Sequence, residues 1–375
     1  MTDPCRINYI FTRVKLLKRV YVSSLAANLI ATKRVICNNG KWKGEINMQL
    51  YFWGTRGSLP YSNRPEAIRK KIKTALRLAV QHKLQEEAEI DTFIDTHLPF
   101  DIKASYGCNT SCVEISGGSE FVICDAGSGL RDFGNHVMQK TAKPPQIFNI
   151  FISHLHWDHI HGFPFFVPAF IPGNTVNIYG CHAQLENAFV QQQEPPHFPL
   201  PLTSMGADIR FHLLEPEKIY EVANFKVTAA RQSHPGNSYG YAFCKDGKKV
   251  VYSTDSEHQE ESEKDDYYFL EFAKNADVLI FDAQYNLVDH FSAKRSWGHS
   301  CNIVAVELAV RAKAKRLCLF HNEHTVDDHQ LEKFLGDTRR YLSFYDQDST
   351  LHIDLAYDGL NINLTPNTDY PPEVY

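Results

Sequence analysis

Residues 153–162, reading S-H-L-H-W-D-H-I-H-G, constrain this chain more than any others, because they place four metal-ligating side chains within six positions directly after the apolar run 147–152. An apolar run of that length reads as a buried strand, so the histidines fall where a strand ends. His154 and His156 are two residues apart, and side chains two apart in extended backbone project to the same side. Both rings can therefore converge on one ion. Asp158 and His159 follow where the chain should turn, and they offer a carboxylate oxygen and a further imidazole to a second ion. This donor set suits zinc, and also manganese or iron, and the lack of cysteine leaves coordination positions open to water. Open positions point to catalysis. A chain with 18 histidines gathers some by chance, but residue type, spacing and position after a β-type run must all coincide here.

The pattern H-x-H-x-D-H resembles the signature of the metallo-β-lactamase-fold hydrolases, and the surrounding sequence is most similar to the branch that holds ribonuclease Z and related phosphodiesterases. Ser233-His234-Pro235 looks like that family's third histidine motif. Val251-Tyr252-Ser253-Thr254-Asp255 resembles its strand ending in a bridging aspartate, and Leu317-Cys318-Leu319-Phe320-His321 the strand that delivers its last histidine. Alone, His234 or Asp255 reads as an ordinary turn residue, and His324 competes with His321 because H-N-E-H sets both on one loop. The likeness runs from Gln49 to about Leu335, taking in Tyr51-Phe52-Trp53-Gly54-Thr55-Arg56-Gly57-Ser58, Gly107-Cys108-Asn109-Thr110-Ser111-Cys112 and Asp125-Ala126-Gly127-Ser128-Gly129.

The resemblance implies an α/β chain folded as a four-layer αββα sandwich. It implies two divalent metal ions, one on His154, His156 and His234, the other on Asp158, His159 and His321, with Asp255 between them. Asp125 would lie beneath the site and orient a ligand histidine, and Asp158 would orient the attacking water or accept its proton. Trp297-Gly298-His299-Ser300 resembles a histidine-serine loop used near the scissile phosphate. His299 would then protonate the leaving oxygen or bind a phosphoryl oxygen, with Asp282 orienting it. The bland reading of Gly298-His299-Ser300 is a cap for the helix that begins near Cys301, and Asp282 stands where the family has a glutamate-containing motif.

Composition fits this reading. A net charge of -5 and pI near 6.4 give no global reason to expect nucleic acid. No apolar run reaches membrane-spanning length. Nine cysteines without C-x-x-C pairing fit reduced thiols in a cytosolic protein.

Residues 1–47 are rich in Lys and Arg, with only Asp3 and Glu45 as acids, and the family-like sequence starts at Met48. They read as a basic extension outside the fold, with Met48 as the preferred true start, and 48–375 as the hydrolase domain. Relatives bridge 63–103 with a shorter loop. There Ile68, Ile72, Ala75, Leu76 and Ala79 recur at helical spacing with Pro65 in the first turn, predicting an amphipathic helix that roofs the site, contacts a second copy, or packs an inner face on the surface. Strands are expected at 111–116 and 121–124 as a hairpin, then at 176–179, 208–214, 226–231, 239–244, 249–253, 278–281 and 316–320. Helices are expected near 183–192, 267–274 and 301–314.

The expected activity is a phosphodiesterase acting on a small phosphodiester such as a cyclic nucleotide, or on RNA, because two ions acidify a shared water and stabilise the developing oxyanion. No long glycine- and basic-rich arm of the kind with which ribonuclease Z grips transfer RNA is present. The alternatives are a carboxylic ester, thioester or lactone hydrolase, and a metal-dependent sensor without turnover. Two copies pairing is compatible with the resemblance.

Overall fold

In β1 (Gln49–Gly54), Leu50, Phe52 and Gly54 are buried while Gln49, Tyr51 and Trp53 are half-buried, the period of two that a strand shows when one face lies on a core. This strand opens the computed structural model, which describes residues 48–140, 144–286 and 297–364. The basic segment 1–47 lies outside the described residues.

After β1 come helices α1 (Pro65–Ala79), α2 (Glu87–His97) and α3 (Phe100–Lys103). The hairpin β2 (Cys112–Ser116) and β3 (Phe121–Cys124) follows, then α4 (Gly129–Lys140), β4 (Ile147–Phe151), α5 (Trp157–Ile160), β5 (Thr175–Gly180), α6 (Leu185–Gln192) and β6 (Asp208–Leu213). The second half runs through β7 (Ile219–Val222), β8 (Phe225–Gln232), β9 (Ser238–Lys245), β10 (Lys248–Ser253), α7 (Tyr268–Ala273), β11 (Val278–Asp282), α8 (Asn302–Arg311), β12 (Arg316–Phe320), α9 (Asp328–Tyr345), β13 (His352–Leu355) and β14 (Asn361–Asn363).

The strands form two seven-stranded sheets, ordered β14-β1-β2-β3-β4-β5-β6 and β13-β12-β11-β10-β9-β8-β7. Each is mixed in the same way. In the first, β14, β1, β2 and β3 pair antiparallel and β3 to β6 parallel. In the second, β7 to β10 pair antiparallel and β10 to β13 parallel. Phe52, Ile115, Phe151, Phe243, Tyr252 and Phe320 interleave between the sheets. Outside the first sheet, Leu130, Phe133 and Val137 of α4 pack on Ile123, Phe148 and Ile150. Outside the second, α8 and α9 set Ala305, Leu308, Leu331 and Leu335 on Leu279, Phe281, Leu317 and Leu319. Each Leu, Ile, Val or Phe side chain so removed from water contributes about 1.5–3 kcal/mol, and the result is the αββα sandwich expected from the sequence.

The expected strands and helices all form, with ends shifted by a residue or a few. Strand β7, whose Ile219 is largely exposed, was not legible as a strand because an edge strand carries little core pattern. The 63–103 region departs further from expectation. It holds two helices besides the amphipathic one, and α1 buries none of its residues. Its Ile68, Ile72 and Leu76 face solvent, while Ala75 and Ala79 of the same row are half-buried. Among the described residues no helix is long and apolar enough to cross a membrane.

Candidate metal centre

Parallel strands bring their carboxyl ends to one edge, and the loops leaving those ends are where open α/β sheets place their chemistry. Asp125 follows β3, the 153–159 run follows β4, Asp255 follows β10, Asp282 ends β11 and His321 follows β12. Asp125, Asp255 and His321 all have positive φ, at 60°, 41° and 63°. Left-handed backbone costs a residue with a Cβ about 1–3 kcal/mol. Here it turns the chain at once, so that each side chain enters the cleft between the sheets.

Two groups of donor atoms result, each lying within 4.8 Å: His154, His156, His234 and Asp255, and Asp158, His159 and His321. Asp255 joins them, with Oδ2 at 3.4 Å from Nε2 of His154 and 3.7 Å from Nε2 of His234, and Oδ1 at 3.2 Å from Nε2 of His159 and 3.3 Å from Nε2 of His321. Asp158 Oδ2 lies 3.2 Å from Nε2 of both His159 and His321. All seven ligand candidates thus stand together at one edge of the two sheets. His324 is outside it, its Nδ1 lying 3.2 Å from Glu323 Oε1.

Ring protons can be assigned from neighbours that only accept. His159 Nδ1 donates to Asp125 Oδ2 at 2.7 Å, and His234 Nδ1 donates to the carbonyl of Gly298 at 2.8 Å. Each ring therefore turns its Nε2 to the cleft, a lone pair whenever the ring is neutral. His159 Nε2 faces His321 Nε2 at 3.3 Å, and His234 Nε2 faces His156 Nδ1 at 3.2 Å. Nε2 of His154 is buried without a hydrogen-bond partner. Ring nitrogens facing one another in two pairs and an orphaned buried nitrogen fit cation binding.

Electrostatics agree. Burial pushes His154 well down, and it also lowers His156 and His234, so these rings stay neutral as ligands must. Burial opposes ionisation of Asp158 and Asp255, but His159 and its neighbours outweigh it and hold both well below the usual carboxylate range. Burial likewise opposes charge on His159, yet Asp255, Asp158 and Asp125 drive it well up. The positive charge those three carboxylates demand is what a divalent cation delivers.

His299 also joins the centre, its ring lying with Asp255 and His321 so that one donor atom of each is within 4.8 Å of the others. Its Nδ1 donates to Asp282 Oδ2 at 2.9 Å, and Asp282 is fixed in turn by the N–H groups of Ser256 at 3.0 Å and Gln284 at 3.1 Å. Burial works against charge on His299, but Asp282, Asp255 and Asp158 carry it to about 9. The capping alternative is not realised, since α8 has Cys301 at its N-cap with no side-chain cap bond.

Several supporting residues were not singled out from sequence. The Tyr252 hydroxyl and Ser153 Oγ donate to Asp125 Oδ2 at 2.7 and 2.8 Å, and Ser153 N–H donates to Oδ1 at 2.7 Å. The signal for Tyr252 was a tyrosine in an otherwise apolar strand, whose buried hydroxyl needs a partner. Ser58 N–H donates to Asp158 Oδ2 at 2.7 Å. Two glycines permit close approach: a Cβ on Gly57 would lie 2.4 Å from His321 Nδ1, and one on Gly298, where φ is +88°, 2.4 Å from His234 Nδ1.

The Beta-lactamase superfamily domain model matches residues 120–322, more than half of the chain. Ribonuclease Z of Prochlorococcus marinus (strain AS9601) is 23% identical over 269 residues, covering 56% of this chain and 80% of that protein. Ribonuclease Z of Thermoplasma acidophilum is 24% identical over 276 residues, covering 58% and 81%. Among solved structures, the metallo-beta-lactamase fold protein YhfI of Bacillus subtilis superposes with a TM-score of 0.55 at 19% identity, over 84% of this chain and 98% of that one. Yeast PDE1 superposes with a TM-score of 0.53 at 12% identity, over 85% and 100%. The chain belongs to the β-lactamase superfamily. Within it, this is a hydrolase of the metallo-β-lactamase fold with ribonuclease Z-like sequence.

Proposed function

We propose that this chain is a dinuclear metal-dependent phosphodiesterase acting on a small phosphodiester such as a cyclic nucleotide, with RNA as the nearest variant. The observation that carries the reading is the convergence of imidazole lone pairs and two ionised carboxylates at the carboxyl ends of both parallel strand sets. His154, His156 and His234 would hold one divalent cation and Asp158, His159 and His321 the other, with Asp255 shared. Zinc suits the donors best, and manganese or iron also fits. Bound cations would acidify a water and polarise a phosphoryl oxygen.

The chain supplies the rest. Asp158, held by the Ser58 N–H, orients the attacking water or takes its proton. His299, anchored through Nδ1 to Asp282, would protonate the departing oxygen from Nε2. Trp157 and Trp297, adjoining His156 and Gly298, are 82% and 60% exposed and offer flat apolar surfaces to a nucleobase. Relatives named ribonuclease Z support phosphorus over carbonyl carbon as the point of attack. The acidic net charge favours a small substrate over a long polyanion. The seven described cysteines are free thiols, in keeping with a cytosolic enzyme.

The test is to purify the full chain without chelators, quantify metal, and screen bis-p-nitrophenyl phosphate, cyclic mononucleotides, short RNA and a p-nitrophenyl ester against wild type and Asp158→Ala. Phosphodiester turnover lost in the variant supports the proposal. Ester turnover alone would reject it, and a metallated but inert protein would favour a sensor.

A further inference from the structure

Gly298 has both of its main-chain groups engaged at the metal centre. Its carbonyl accepts the Nδ1 proton of His234 at 2.8 Å, and its N–H donates to Oε2 of Glu257 at 3.2 Å. The segments meet without slack, for a Cβ on Gly298 would lie 2.3 Å from Cδ of Pro235. Gly298 is also the residue before His299. The carbonyl that turns His234 toward the cleft and the ring read above as the acid therefore share one short loop.

The seat of that loop is the turn after β10. Ser256 is fully buried there and Glu257 is 5% exposed. The N–H of Glu257 donates to the carbonyl of Ser233 at 2.8 Å. Residue 257 thus holds the His234 turn with its backbone and the Gly298 loop with its side chain. On the other side of His299, Ser300 Oγ donates to the carbonyl of Ser256, and the Ser256 N–H donates to Asp282 Oδ2, the atom that also accepts from His299 Nδ1. A buried carboxylate is tolerated only where it is bonded, and the Glu257 bond falls on a loop that touches both His234 and His299. Partners one step behind a ligand or an acid set its position, and position is what metal affinity and proton transfer depend on.

We propose that Glu257 is a positioning residue: by seating the Gly298 loop it ties the orientation of His234, and so the affinity of the His154, His156 and His234 group for its cation, to the placement of His299. This rests on the phosphodiesterase reading only in calling His299 the acid.

Nuclear magnetic resonance of the isotope-labelled, metal-free full chain tests it first, with circular dichroism confirming that each variant folds. Wild type should show slowly exchanging Nδ1–H signals from His159, His234 and His299. In Glu257→Ala, and in Glu257→Leu, which fills the space without an acceptor, exchange at His234 and His299 should quicken at least about tenfold. The His159 signal should not change, because Asp125 holds that ring separately. In calorimetric zinc titration the same variants should bind one equivalent as wild type does and the other about 10–100-fold more weakly. With zinc in excess, kcat should fall at least about tenfold further on cyclic mononucleotides than on bis-p-nitrophenyl phosphate, whose leaving group needs no proton. Glu257→Gln keeps an acceptor and should restore all three readouts. Unchanged exchange at His234 or His299, quickened exchange at His159 as well, unchanged zinc affinity, equal falls on the two substrates, or a glutamine variant that behaves as the alanine one would each overturn the proposal. A wild type without phosphodiester turnover would sink the phosphodiesterase reading alone, since ring exchange and zinc affinity are measured without substrate.

Discussion

Asp125 Oδ2 accepts the Nδ1 proton of His159 at 2.7 Å, in a site where both side chains are fully buried. The same carboxylate takes three further donors, from Ser153 N–H, Ser153 Oγ and Tyr252. It therefore fixes which nitrogen of His159 carries the proton and leaves Nε2 as a lone pair. Asp125→Asn should turn an amide N–H toward groups that themselves donate. We expect a 10–100-fold loss of metal affinity or activity and about 1–3 kcal/mol of stability from unpaired buried groups. Metal titration calorimetry beside urea unfolding measures both, and unchanged metal affinity would refute the orienting role.

The candidate ligands were legible because metal chemistry limits residue type and spacing together: His154, His156, Asp158 and His159 stand within six positions. The distant members, His234, Asp255 and His321, were legible only through order and place at strand ends. What could not be read was backbone reach. Ser58 enters through its N–H, which any residue but proline offers, and Gly57 acts by having no side chain. The exposure of the α1 row was hidden for another reason. The period of 3.6 reports that a helix is two-faced, and it is silent on which face meets protein and which meets water.

The two close-approach glycines separate the halves of the centre. Gly57→Ala would press a methyl on His321, and Gly298→Ala would press one on His234 while straining a left-handed backbone. Each variant should bind about one equivalent of metal where wild type should bind two, by analogy with other damaged ligand positions. Elemental analysis after dialysis reads the stoichiometry. Loss of both ions, or of neither, in both variants would contradict the two-ion assignment.

His299 and Asp282 should matter in proportion to how badly the leaving oxygen needs a proton. His299→Ala should lower kcat about 10²–10⁴-fold on phosphodiesters with alkoxide leaving groups. With a p-nitrophenolate leaving group, which departs unprotonated, the change should be far smaller. Asp282→Asn should show a weaker form of the same split, because it loosens the ring without removing it. Equal losses on both substrate types would assign the pair to binding or folding instead.

Removing metal should cost stability as well as activity, because a ligand bound only by the folded state stabilises it in proportion to its saturation, about 2.7 kcal/mol at a hundredfold excess over Kd. EDTA should lower the melting temperature by several degrees, and zinc or manganese added back should restore it. Differential scanning fluorimetry of wild type against His154→Ala/His234→Ala checks that the shift needs these rings. An EDTA effect of the same size in the variant would place the responsible ion elsewhere.

Asp358 gives a pH dependence independent of the metal centre. Its carboxylate accepts from the N–H groups of Cys108 at 2.8 Å and Asn109 at 2.9 Å and from Thr55 Oγ1 at 3.1 Å. Burial nevertheless pushes it up from 3.8 to about 6. A carboxyl whose folded pKa is raised favours the folded state while protonated, so its contribution is complete below about pH 4 and is lost as pH rises through 6. Asp358→Asn keeps an acceptor for both N–H groups and an amide to meet Thr55 Oγ1, but carries no charge to desolvate. Relative to wild type, the variant should gain about 2–3 kcal/mol between pH 4 and pH 8, at about 1.4 kcal/mol per pKa unit. Urea unfolding at pH 4, 6 and 8 measures that difference, and a gap that stays constant with pH would show that Asp358 is ionised in the folded chain as readily as in the unfolded one.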